Sequence, residues 1–172
     1  DEAATAIAEN KSLPEHSVVL TFDDGYENFY EYAWPILQKH NFPSTVYIVS
    51  SLVGKTANWL AKDKHPTPPL MNIDRIRQLN KETIVNFGSH SVNHNRLAEL
   101  PLKEAEIEIL QSKTSLESML DQPVQDLCYP YGSYNEDVIN ISRAAGYKTA
   151  VTCQRSKADK NSDLLALPRK AI

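Results

Sequence analysis

The chain has 172 residues, 41% of them hydrophobic and 23% charged, with a formal net charge of −4. That is the size and composition of one ordinary globular domain, with enough apolar mass for a core. The acidic balance and the lack of a basic stripe exclude nucleic acid as the main partner, and no apolar run reaches the length of a membrane span or a signal-peptide core.

The order of elements can be read along the chain. Residues 1–16 have the look of a polar connector, with the end of a helix over 3–8 and a turn at Pro14. The first strand is expected over 17–22, where Val18 to Phe22 reads as a buried run, and it ends in Asp23-Asp24-Gly25. Residues 26–40 have helical spacing, with Phe29, Ala33, Ile36 and Leu37 on one stripe and Pro35 as a kink or division. Strand two is expected over 45–49, where residues are β-branched and aromatic. Residues 50–69 have no period. They carry Trp59 and a Pro-rich piece, and a connection of this length after a strand points to the functional face.

A short helix starts near Asn72, and strand three covers 83–87, leading into Gly88-Ser89-His90. Residues 102–120 form the clearest helix, with Ala105, Ile109, Ser112, Leu116 and Met119 on one stripe. Strand four is expected over 126–129, a helix over 135–145 closed by Gly146, strand five over 147–152 and a sixth strand over 164–167. Alternating strands and helices imply a parallel sheet. Six strands at most, with polar residues after strands one, three and four, suggest an incomplete βα barrel. Cys128 and Cys153 are too few and too far apart for a metal or disulfide framework and read as buried free thiols.

Two clusters carry chemistry. Asp23 and Asp24 sit side by side at the carboxyl end of a predicted strand, where α/β folds place their ligands. Burying both is costly unless a cation compensates. The bland alternative is an ordinary helix-capping turn, for which one aspartate would do. The second cluster is His90-Ser91-Val92-Asn93-His94, two histidines at i and i+4. With Asp24 they make two imidazoles and one carboxylate, a metal-binding facial triad with open positions.

Thr21-Phe22-Asp23-Asp24-Gly25, His90-Ser91-x-x-His94 and Tyr129-Pro130-Tyr131-Gly132 resemble the first three motifs of the polysaccharide deacetylases, carbohydrate esterase family 4 with the NodB homology domain. Their order and spacing are similar too, and the Tyr26 form of the first motif is most like the exopolysaccharide (poly-N-acetylglucosamine) branch. The resemblance implies an α/β fold, a distorted, incomplete (β/α)7-type barrel, spanning 17–172 after a connector at 1–16. It implies Asp24, His90 and His94 as metal ligands and Asp23 as the base that deprotonates water. Ser91 would steady the histidine loop, and the backbone N–H of Tyr131 would bind the oxyanion. The cofactor implied is one divalent ion, zinc by default, with cobalt or nickel suiting the same ligands. The activity implied is hydrolysis of N-acetyl groups on an N-acetylhexosamine polymer such as poly-N-acetylglucosamine, chitin-like chains or peptidoglycan, in the cell envelope, periplasmic or extracellular. The partner is then an acetylated polysaccharide, bound at Pro130, Tyr131 and Trp59, whose indole can stack on a sugar ring.

The chain departs from the family pattern in two places. Cys128 stands where many members carry an arginine that orients the base, and Arg169 is the best substitute. No Leu-x-His triplet follows Tyr131 to supply a general acid. His16 and His40 fall on the wrong face, which leaves His65 or a residue upstream of Asp1, and an amino-terminal truncation is expected on that ground. Three other readings stand beside the deacetylase: an O-acetyl xylan esterase, a non-catalytic sugar-binding module that keeps the metal site, and a non-haem iron oxygenase, against which the parallel α/β pattern argues.

Overall fold

The computed structural model describes residues 2–9, 11, 12 and 14–171. After helix α1 (Glu2–Ala8), five strands follow: β1 (Leu20–Phe22), β2 (Ser44–Ile48), β3 (Val85–Ser89), β4 (Asp126–Cys128) and β5 (Thr149–Val151). All neighbours are parallel and the order in the sheet is the order in the sequence. A parallel sheet wound in one direction puts its crossover helices on one face and curls. The sheet therefore forms a half-barrel, with helices α2 (Trp34–His40), α3 (Ile73–Leu79), α4 (Leu102–Leu120) and α5 (Glu136–Ala144) in the connections.

The main core lies between the sheet and these helices. Val46, Ile48, Phe87 and Leu127 meet Ile76, Leu79, Ile109 and Leu116 there, all buried. Helix α4 keeps the boundaries that its period predicts, and Ala105, Ile109, Ser112 and Leu116 on its stripe are buried. Asn72 caps α3 by accepting from Arg75 N (2.9 Å), and Asn135 caps α5 by accepting from Val138 N (2.9 Å).

Several expectations need correction. The run from Val18 to Phe22 is not a buried strand: β1 begins at Leu20 and is half-buried, while Val18 and Val19 are 78% and 53% exposed. β1 pairs with β2 alone among the described strands, so it is a sheet edge, and hydrophobicity does not distinguish an edge from a centre. Residues 26–40 are divided near Pro35, as expected, but into helices of two types. A π-helical turn, Phe29–Ala33, runs into α2, and the change of helix type falls one residue before Pro35, which has no N–H to give the preceding turn. The wider π turn shifts the stripe, so Trp34 is buried and Ile36 is 60% exposed. The expected sixth strand is a single parallel bridge, Val151↔Leu167. Cys128 is buried as expected, but Cys153 is exposed.

The segment after β2 is ordered despite its lack of period. It contains 3-10 turns at Ser50–Leu52 and Asn58–Asp63, and antiparallel bridges Thr56↔Pro69 and Tyr26↔Leu70 fold it back onto the turn after β1.

Candidate active site

The carboxyl ends of β1, β3 and β4 meet at one end of the half-barrel. Strand β1 delivers Asp23 and Asp24 through a turn in which Asp24 (φ 75°) and Gly25 (φ 74°) are both left-handed. Gly25 is required twice over. Its φ disfavours a side chain, and a Cβ there would lie 2.6 Å from Ile48 Cδ1. Strand β3 delivers His90, whose N–H still donates to Ile48 O (2.8 Å) in continuation of the sheet. The chain then turns through left-handed Ser91 (φ 63°) and His94 (φ 60°). Ser91 Oγ accepts from His94 N (3.0 Å) and closes this turn.

The result is a tight convergence. Asp24 Oδ1 lies 3.3 Å from His90 Nε2 and 3.1 Å from His94 Nε2. His90 Nδ1 is 2.7 Å from Cys128 O, and a carbonyl can only accept, so Nδ1 carries a proton and Nε2 is the nitrogen turned to the site. Nε2 faces Asp24 Oδ1, a buried oxygen that needs a proton or a metal ion from that side. With its proton, Nε2 pairs with the carboxylate directly; without it, the two atoms are free to share a metal ion. The donor set, one carboxylate and two imidazoles within 4.8 Å of one another, suits a divalent ion.

Asp23 faces the other way. Arg169 Nη1 and Nη2 donate to its two oxygens at 2.7 and 2.8 Å, a bidentate pair. Arg169 is in turn fixed by donating to Thr152 O (3.0 Å) and Thr21 Oγ1 (3.0 Å). Its Nη2 also reaches Cys128 Sγ (3.1 Å), so the thiol that replaces the expected arginine packs beside an arginine from elsewhere in the chain. Burial alone would raise the pKa of Asp23, but the Arg169 pair and His90 hold it below the usual carboxylate range. For Asp24, burial is likewise outweighed by the two histidines, and the carboxyl is held well below its usual range. Burial pushes the Cys128 thiol up. Asp23, His90 and Cys128 also lie within 4.8 Å of one another, but the guanidinium already neutralises Asp23 and the thiol keeps its proton, so that group does not suit a metal.

Aromatic side chains wall the site. The Trp59 indole stacks on His94 at 4.2 Å and 20°, and Tyr131 meets the same imidazole edge-on at 4.6 Å. Trp59 also packs on the small cluster of Val49, Leu52, Ala57 and Leu70, so it fills a satellite core and borders the site at once. Tyr131 is left-handed (φ 58°) and 44% exposed, with the Arg96 guanidinium 4.2 Å over its ring. Pro130, which the sequence places among the substrate contacts, is buried beneath this surface. His65 is exposed.

Sequence reasoning missed Glu108 and Ser112 of α4, which hold the histidine loop. The available signal was a glutamate and a serine on or beside the apolar stripe of that helix, where a polar group needs a partner. It also missed Arg96, for which the sequence carries no signal.

Residues 10–150 match the family profile described as polysaccharide deacetylase. The poly-beta-1,6-N-acetyl-D-glucosamine N-deacetylase of Staphylococcus aureus (strain MRSA252) is 25% identical over 168 residues, which are 93% of this chain and 56% of that protein. The structure of the Streptococcus pyogenes deacetylase PplD in complex with acetate superposes with a TM-score of 0.82 at 27% identity, covering 98% of this chain and 70% of that one. IcaB from Ammonifex degensii shares the fold with a TM-score of 0.85 at 22% identity, covering 99% of this chain and 74% of that one. The chain spans a little over half the length of curated relatives that it matches, 57% and 56% of two of them. The profile covers most of the chain and takes in the aspartate pair, the histidine pair and the Tyr129–Gly132 turn, and on that ground the chain belongs to the polysaccharide deacetylase family.

Proposed function

We propose that this chain is the catalytic domain of a metal-dependent hydrolase that removes N-acetyl groups from an N-acetylhexosamine polysaccharide and releases acetate. The observation that carries the reading is the convergence of Asp24 Oδ1, His90 Nε2 and His94 Nε2 beside a second aspartate held by Arg169. Asp24, His90 and His94 would hold one divalent ion, zinc by default, with cobalt or nickel compatible with the same ligands. When bound, such an ion supplies Lewis acidity, polarising a carbonyl and lowering the pKa of water.

The protein groups divide the remaining work. Asp23, ionised beside Arg169, takes a proton from the attacking water at a carboxylate oxygen. Arg169 holds that carboxylate in place through its two parallel hydrogen bonds. We assign the backbone N–H of Tyr131 as a donor to the developing oxyanion on the family resemblance. Trp59 and the exposed ring of Tyr131 offer aromatic surface to the sugar. The deacetylase unit is taken as 17–172, since Arg169 lies beyond the profile match yet closes the site.

The preferred substrate is a poly-β-1,6-N-acetylglucosamine chain, because a relative along nearly the whole chain is named for that activity, and such a polymer places the protein at the cell envelope. The test is acetate release from β-1,6-linked N-acetylglucosamine oligomers by the metal-free chain, with and without added zinc. Zinc-dependent release supports the reading. Release from acetylated xylan alone would move it to an O-acetyl esterase, and sugar binding with no release from either would move it to a binding module.

A further inference from the structure

Helix α4 turns two polar residues, one helical turn apart, towards the histidine loop. Ser112 Oγ donates to Ser91 O (3.0 Å) and pairs with Ser89 Oγ (2.7 Å). Glu108 is only 5% exposed, and its two oxygens take four N–H groups from the loop. Oε2 accepts from Val92 N (3.0 Å) and Asn93 N (2.8 Å), and Oε1 accepts from Asn93 Nδ2 (2.7 Å) and Asn95 Nδ2 (3.0 Å). Burying a carboxylate is costly, and here the donors that offset the cost all come from one short segment.

That segment includes His94 and cannot hold its own shape cheaply. Ser91 and His94 are both left-handed, a conformation that persists in residues other than glycine only when the surroundings over-determine it. The two histidines also differ in how their rings are fixed. His90 is oriented by a hydrogen bond from Nδ1 to Cys128 O. His94 has no such bond: its Nδ1 is buried without a hydrogen-bond partner among the described residues. The direction of the His94 ring therefore comes from its backbone turn, together with the faces of Trp59 and Tyr131.

We infer that Glu108 is the positioning residue for His94, setting the backbone turn that aims Nε2 at Asp24 and thereby tuning the affinity of the site for a divalent metal. This rests on the metal reading above. It gives Glu108 the part for His94 that the Cys128 carbonyl plays for His90, with the support passing through the backbone instead of the ring.

The test is zinc titration of the whole chain by calorimetry, with the cobalt-loaded form followed by its visible absorption. Glu108→Ala removes all four acceptances and is expected to raise the zinc Kd about 10–100-fold, the usual effect of losing an outer-shell partner, and to shift the cobalt band. Glu108→Gln keeps the volume and half of the acceptor capacity; it is the variant to read if the alanine chain does not fold, and a smaller rise is expected. Ile109→Ala truncates the fully buried apolar neighbour on the same helix and removes none of the four hydrogen bonds that Glu108 accepts. It should lower the Tm and leave zinc Kd and cobalt band unchanged, which separates positioning from general stability. A folded Glu108 variant with wild-type zinc affinity and an unshifted band would overturn the inference, as would an equal loss in Ile109→Ala. His94→Ala tells the two failures apart. If wild type binds zinc and His94→Ala does not, the metal reading stands whatever Glu108 does. If both bind alike, or neither binds, the metal reading falls and the inference falls with it.

Discussion

Two neighbouring aspartates in this site have opposite surroundings, and that difference supports the separate roles proposed for them. Asp24 faces two imidazole nitrogens and Asp23 faces a guanidinium, so one is arranged to share a cation and the other to remain a base. Asp23→Asn should lower kcat by ~10²–10⁴, the usual contribution of a positioned base, while zinc content measured on the purified chain stays near one equivalent. Loss of zinc in that variant would mean the two roles are exchanged. Arg169→Lys keeps the charge but cannot form two parallel bonds to the carboxylate. It should cost on the order of 10²-fold in kcat, as a small misplacement of a reacting group does, with zinc affinity unchanged in the same titration. The His90→Ala/His94→Ala double variant should bind no zinc, as metal analysis after dialysis would report.

At the level of elements, the turn after β1 and the segment after β2 depend on each other. Gly25 O accepts from Met71 N (2.9 Å), Glu27 N donates to Pro69 O (3.0 Å), and Gly25 itself lies against Ile48. Gly25→Ala adds a strained φ and a clash. It should destabilise the fold by ~2–5 kcal/mol, adding a left-handed penalty to an overpacking penalty, as denaturant unfolding would measure. Trp59 ties the same segment to the histidine loop through the face of its indole. Because it is only half-buried, Trp59→Ala should cost less than the ~3–5 kcal/mol of a full aromatic truncation. In steady-state kinetics it should also raise KM for longer oligomers. A change in Tm with an unaltered KM would confine Trp59 to the satellite core.

On the scale of the molecule, the candidate ligands come from two places far apart in sequence, Asp24 after β1 and the histidines after β3, with β2 between them in the sheet. A cation bound across them links the edge strand to the middle of the half-barrel. Zinc at a hundredfold excess over its Kd should stabilise the fold by about 2.7 kcal/mol through mass action. That is roughly 5–11 °C in Tm for a chain of this length, and a chelator should reverse it. A Tm indifferent to zinc would contradict the site as drawn. The same geometry explains how β1 can be half-exposed at a sheet edge and still hold the aspartates of the candidate site in place. The turn at its end is held by β2 and by the segment 69–71, so the aspartates do not depend on a second strand partner.

The sequence by itself determined the parallel α/β plan, the limits of α4, the starts of the helices near Asn72 and Asn135 and the candidate cluster of Asp23, Asp24, His90 and His94. These are legible because they follow from local period, local capping chemistry and residue types whose charges cannot be buried without a purpose. It did not determine whether Val18–Phe22 lay at the centre or the edge of the sheet, because an apolar run looks the same in either place. Nor did it reveal the π turn at Phe29–Ala33, which changes the helical period by one residue and moves Ile36 to the surface. The sequence offered Arg169 as the substitute for the missing arginine, and the tertiary structure brought it to Asp23 across 146 residues of chain; the tertiary structure alone decided that Glu108 gathers the N–H groups of the histidine loop. Contacts of this kind depend on where the sheet curls and which helix face lies against which loop. Those are set by packing summed over the whole core, and no local pattern of residues records that sum.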